Sequence, residues 1–239
     1  MILLLLSLSH LILSQSPSHL QSDCDKDQAI ASFKQKVLLN PWSHFDNDPY
    51  KNQTDSSMRH ISEILSNREI VCAIRYSDSS KNHYEIRDFD SKETAEANEF
   101  IVTHQGQCGA CSSLNDLAIY LERNLTSPVR ICSIIRPLSV QLAKKCLLRI
   151  GFSGSCSEVW LFNTKNTFNE CLWICLKAWM RGEPNNNPDG SLNSCLQCDE
   201  DKSGPIFKYF SGRTRRNSGI HSEIERKDEQ IYNITHCYF

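Results

Sequence analysis

The run Phe100 to Tyr120, FIVTHQGQCGACSSLNDLAIY, gathers the residue types that carry thiol chemistry. A strand-like stretch, Phe100 to Thr103, leads into a Gly-containing turn that holds Cys108 and Cys111, and a helical stripe of Leu114, Leu117, Ala118 and Leu121 follows. A cysteine at a helix start faces free backbone N–H groups and the positive end of the helix dipole, which lower a thiol pKa below about 8.5. The spacing therefore predicts Cys111 as a reactive thiol and Cys108 as its neighbour in a dithiol. His104, at the strand end, is placed to serve as a base, a metal ligand or a plain hydrogen-bonding residue. Structural bridges for both cysteines are the competing reading, because ten further cysteines accompany them.

Two other segments carry concentrated charge. Gly212-Arg213-Thr214-Arg215-Arg216-Asn217-Ser218-Gly219 sets three guanidinium groups between glycines, a pattern that can grip a carboxylate, sulfate or phosphate through bidentate hydrogen bonds. Arg213, Arg215 and Arg216 are thus candidate anion-binding residues. Pairing with Asp199, Glu200 and Asp201, or exposure as a basic turn cleavable at Arg215-Arg216, are the alternatives. The acidic trio follows a second CxxC pair, Cys195 and Cys198, and lacks the alternating ligand spacing of a calcium loop. The two CxxC pairs lie much farther apart than the roughly 15 to 20 residues of common zinc ribbons, so no metal and no cofactor is expected.

The elements that must position these groups belong to a chain of 239 residues with 40% hydrophobic and 23% charged side chains, a globular composition. A net charge of -2 gives no overall field for a polyanion, and nucleic acid is not expected as a partner. Ile2 to Leu13 is too short and interrupted to span a bilayer but has the length of a secretory apolar core, so residues 1–22 read as a signal peptide. No later stretch reaches a membrane span. An oxidising destination, secreted or in the endomembrane lumen, turns the twelve cysteines into expected disulfides, and the sequons at Asn52, Asn124 and Asn233 agree with it.

Periodicity predicts a helix over Asp25 to Leu39, a second carrying Met58, Ile61, Ile64 and Leu65, and a hairpin of strands Glu69 to Tyr76 and His83 to Phe89. After the Cys111 helix come one from Leu138 to Ile150 that ends at Gly151, then two more, Ser155 to Phe162 and Asn169 to Met180. The last is apolar nearly all round and is expected to be central, with Cys171 and Cys175 on one face. Pro184 to Gly204 reads as a long loop. No repeat or linker divides the chain, and the expectation is one α+β domain over residues 23–239, rich in helix, with a small antiparallel sheet and disulfide staples.

Gln105-Gly-Gln-Cys108-Gly-Ala-Cys111 resembles the active-site stretch of papain-like cysteine proteases. That resemblance implies an oxyanion-donor role for Gln105, a bridge cysteine at Cys108 and a nucleophile at Cys111, although Ser112 stands where that family has an aromatic residue. A wider set of segments, including Cys108-Gly-Ala-Cys-Ser, Pro188-Asp-Gly-Ser-Leu-Asn and Gly212-Arg-Thr-Arg-Arg-Asn-Ser-Gly, resembles a family of secreted, cysteine-rich eukaryotic proteins of uncharacterised activity. It implies one domain spanning both CxxC pairs. The sequence thus predicts a secreted, stapled globular protein with a reactive-cysteine pocket for thiol-disulfide exchange or cysteine nucleophile chemistry, its partner a small anionic or thiol-containing ligand. The alternative is a non-catalytic extracellular binding or interaction module in which every cysteine is structural.

Overall fold

A computed structural model describes residues 25–239; the expected signal peptide and Cys24 lie outside them. Chain order begins with α1 (Lys26–Phe33), β1 (Val37–Leu38), α2 (Asp55–Ser66), β2 (Val71–Tyr76), β3 (His83–Phe89), α3 (Lys92–Ala97) and β4 (Ile101–Gln105). The helical half then runs through α4 (Leu114–Glu122), α5 (Thr126–Ile135), α6 (Val140–Ile150), α7 (Gly154–Met180), α8 (Ser194–Lys202) and α9 (Gly204–Ser211). Two short 3-10 turns follow, at Arg216–Ser218 and Asp228–Gln230. The fold is a helix-rich α+β domain with a small sheet, as the sequence predicts.

The sheet order is β1-β3-β2-β4, with β2 antiparallel to both neighbours and β1 parallel to β3. The sheet is therefore mixed rather than purely antiparallel. β1 also corrects the first predicted helix: α1 stops at Phe33, and Val37 and Leu38 extend alongside His83 and Tyr84. Branched Val37 fits an edge strand, and the backbone N–H groups of Val37 and Leu39 donate to Asn82 and Tyr84. The predicted hairpin is present, and its central strand is buried on both faces. Val71 and Ala73 pack with Phe89, Ala95, Phe100 and Val102 on one side, while Cys72 and Ile74 join Phe33, Tyr84, Leu114 and Leu117 on the other.

A second core lies among α4 to α7, where Tyr120, Val129, Ala143, Leu147, Phe152 and Val159 meet. The two helices predicted between Ser155 and Met180 are one helix, α7, because no Gly or Pro interrupts it after Gly154. Its last turns are not central. Trp173, Trp179 and Met180 are exposed, although the Cys171–Cys198 and Cys175–Cys195 bridges tie that end to α8. The predicted long loop Pro184 to Gly204 contains α8, capped by the Asn193 side chain on the Leu196 N–H. Helices α3 and α5 were not expected.

Candidate functional site

The CxxC turn joins the two cores. Cys108 is bonded to Cys72 on β2, and Cys111 to Cys156 on the first turn of α7. The pair therefore bridges to two different partners instead of closing on itself, and Cys195 and Cys198 do the same with Cys175 and Cys171. Cys132–Cys146 ties α5 to α6, Cys237 is also bonded, and no cysteine is free among the described residues. Cys108 and Cys111 are both buried. Asp88 lies beside the first bridge and accepts the Cys108 N–H, but with Cys72 and Cys108 bonded to each other the trio offers no thiolates to a metal ion.

The expected helix-start position of Cys111 is also corrected. Helix α4 begins at Leu114 behind the N-cap Ser113, so Cys111 lies in the turn before it, and its N–H donates to Ser211 O at 2.9 Å. Ala110 N–H likewise donates to Phe210 O at 2.9 Å. This brings the turn against the end of α9 so closely that a Cβ on Gly109 would lie 2.5 Å from Gly212 N, and one on Gly212 would lie 2.4 Å from Gly109 N. Gly212 also has a φ of +67°, which a side chain rarely adopts. Two glycines far apart in sequence thus permit one backbone junction.

Arg213 follows directly from that junction and is wholly buried. Its five N–H groups all find acceptors: Nε donates to Cys111 O at 3.2 Å, Nη1 to Thr103 O at 3.1 Å and Ser218 Oγ at 3.0 Å, and Nη2 to Thr103 Oγ1 at 3.2 Å and Ser112 O at 3.3 Å. Thr103 can offer both oxygens because it is the extra residue of a β-bulge: Cys72 pairs with His104 and Ala73 with Val102, leaving Thr103 between them. The guanidinium is held by carbonyl and hydroxyl dipoles, and burial lowers its pKa. It has no donor left for an anion, which corrects its expected role.

His104 is equally buried, between this guanidinium and the turn. Gln105 O can only accept, so the imidazole Nδ1 carries the proton that it shares at 3.0 Å, and Nε2 accepts the Ser112 hydroxyl at 2.8 Å. Ser112 Oγ in turn accepts the Gly109 N–H at 2.8 Å. Burial, and then the nearby Arg213 charge, push the His104 pKa well below its usual value, keeping the ring neutral. The Gln105 amide points elsewhere and donates to Arg68 O at 2.7 Å, away from the oxyanion role that the protease resemblance implied.

The other two arginines diverge. Arg215 donates to His221 O and Arg123 O, and it lines a shallow depression with Lys26 and Leu121. Arg216 meets Glu200 at 2.7 Å, and Lys208 and Arg226 reach the same carboxylate. Burial alone would raise the Glu200 pKa, but Lys208 and Arg216 outweigh it and hold it down to about 2. Asp199 accepts from Thr167, and Asp201 from Gln197. The three guanidiniums therefore form no shared pocket.

Residues 140–234 match a family model described as a family of unknown function (DUF8771). No curated protein and no solved structure matches the chain. The matched span covers α6 to α9, both bridges between α7 and α8, and all three arginines, but not the CxxC turn that Arg213 supports.

Several residues that organise the site escaped the sequence reading. Ser112 and Thr103 carry no local pattern. Asp116 does, since Ser113-Leu-Asn-Asp116 has the spacing of a helix N-cap motif. Its buried carboxylate accepts from Ser113 Oγ at 2.6 Å and from Ser153 N and Oγ at 2.8 Å, so one side chain joins the N-termini of α4 and α7.

Proposed function

We propose that this chain is a non-catalytic, disulfide-stapled interaction module of an oxidising compartment, outside the cell or in the endomembrane lumen. The observation that carries the reading is that Cys108 and Cys111 are each bonded to a separate, distant cysteine while buried. A thiol nucleophile needs a free, accessible sulfur with a base beside it. Here His104 is engaged with Gln105 and Ser112, and Arg213 is consumed by five acceptors, so the segment with the richest chemistry serves as a structural keystone. Disulfide density supports the compartment, as does the exposure of Asn52, Asn124 and Asn233, where an N-glycan has room. No helix among the described residues is long and apolar enough to cross a membrane.

The test is alkylation of the native, unreduced protein at pH 5 to 6, followed by peptide mapping. The module reading expects no label on Cys108 or Cys111 and recovery of the Cys72–Cys108 and Cys111–Cys156 peptides. Rapid labelling of Cys111 would restore the reactive-thiol reading.

A further inference from the structure

The hairpin of α5 and α6 carries a surface that the fold does not use. Its inner side, with Val129, Cys132, Ala143 and Leu147, enters the helical core. Its outer side and turn expose Ile131, Ile134, Leu138, Val140 and Leu142, with Leu138 87% accessible. An outward row of large aliphatics across two helices and their turn marks a contact surface rather than scattered single residues. The charge around it has one sign. Between Glu122 and Glu158 the chain has no acidic residue, whereas Arg130, Arg136, Lys145 and Arg149 surround the aliphatics and form no ion pair among the described residues.

We infer that this hairpin docks the protein on an anionic lipid surface presented to that outer or lumenal compartment, the aliphatics of its tip entering the acyl boundary and its cations meeting headgroup phosphates. The inference names the partner of the module reading and rests on it. An apolar face bordered by Lys and Arg is the arrangement by which amphipathic elements lie in a membrane interface. Self-association through this face would set like charges against each other. Nucleic acid fits poorly, because the hairpin has no aromatic side chain on which a base could stack and its aliphatics would stay wet. The Cys132–Cys146 bridge holds the two helices together, so the tip arrives preformed and little ordering entropy opposes docking.

The experiment measures partitioning of the full oxidised chain onto phosphatidylcholine vesicles, with and without roughly 30% phosphatidylserine, at low and high salt. Binding is expected only with phosphatidylserine and should weaken as salt rises. A Leu138→Ser/Leu142→Ser variant should lose it. A Lys145→Gln/Arg149→Gln variant should bind about 25-fold more weakly, at about fivefold for each cation removed. Because these side chains are exposed, unchanged melting confirms that both variants fold, and every variant carries the same N-terminal segment, so the comparison isolates the hairpin. A Trp173→Ala/Trp179→Ala variant, altering the exposed end of α7, should bind like the wild type. The inference is overturned if vesicles fail to bind, if neutral vesicles bind equally well, or if the hairpin variants bind unchanged. It is also overturned if the tryptophan pair alone abolishes binding, or if Leu138→Ser dissolves a dimer without affecting vesicles. A vesicle failure with Cys108 and Cys111 unlabelled would leave the module reading standing.

Discussion

Arg213 is a charge taken out of water without a carboxylate in contact, and it is tolerated because all five of its donors are used. Removing it strands the carbonyls of Thr103, Cys111 and Ser112 in a dry interior. Arg213→Gln should therefore cost several kcal/mol in a denaturant titration, at about 1 to 3 kcal/mol for each buried carbonyl left without a donor. Arg213→Lys should recover little, since an ammonium has three donors and no planar fork. His236 responds to acid instead. Its ring is held down to about 4, by burial first and then by Arg213. Between that value and its unfolded pKa of about 6.5 the unfolded chain binds more protons, so stability is full above about pH 6.5 and declines as pH falls toward 4. The loss should be on the order of 3 kcal/mol. His236→Gln, which stays neutral, should remove the His236 share of that slope in a melting-temperature profile and leave the share of His104, whose pKa is also lowered by burial; an unchanged slope would assign the acid sensitivity elsewhere. Neither role was legible beforehand, since three arginines in four positions read alike until the fold buries one, pairs one and leaves one near the surface.

At the scale of elements, periodicity located most of what forms. The hairpin, α2, α4 and α6 follow from apolar spacing, and Gly151, with φ +114°, ends α6 where expected. The failures have physical causes. Val37 and Leu38 fit a helical stripe or a strand equally well, and only the free edge of β3 decides. The end of α7 looked central because its residues are apolar, yet burial also depends on what packs against them, and two bridges to α8 hold that end without enclosing it. Helix α8 has its own lock at Glu200, which collects Lys208 of α9 together with Arg216 and Arg226. The folded pKa lies below the unfolded one of about 4.3, so this stabilisation is present above pH 4.3 and is lost as pH falls toward 2. Glu200→Gln should lower stability near neutral pH by about 1 to 3 kcal/mol and remove that low-pH portion of the profile, read by thermal melting.

For the whole molecule, the sequence announced a stapled α+β domain but not its wiring, because twelve cysteines admit many pairings and spacing favours the wrong ones. Cys108 and Cys111 are near neighbours in the unfolded chain, whereas their native partners are 36 and 45 positions away. Loop-closure entropy favours nearby partners over those 36 and 45 positions away. The same contest recurs at Cys195 and Cys198, whose partners lie 20 and 27 positions away. Early oxidation should therefore trap the chain in small local rings that must be reopened by exchange before the two cores can join. Refolding from the reduced state should yield little native protein in a purely oxidising buffer and several times more with a glutathione redox couple and a disulfide isomerase, scored by recovery of the Cys111–Cys156 peptide. A producing cell would thus need shuffling capacity as well as an oxidant, and the yield of folded protein should track the supply of isomerase more closely than the rate of synthesis.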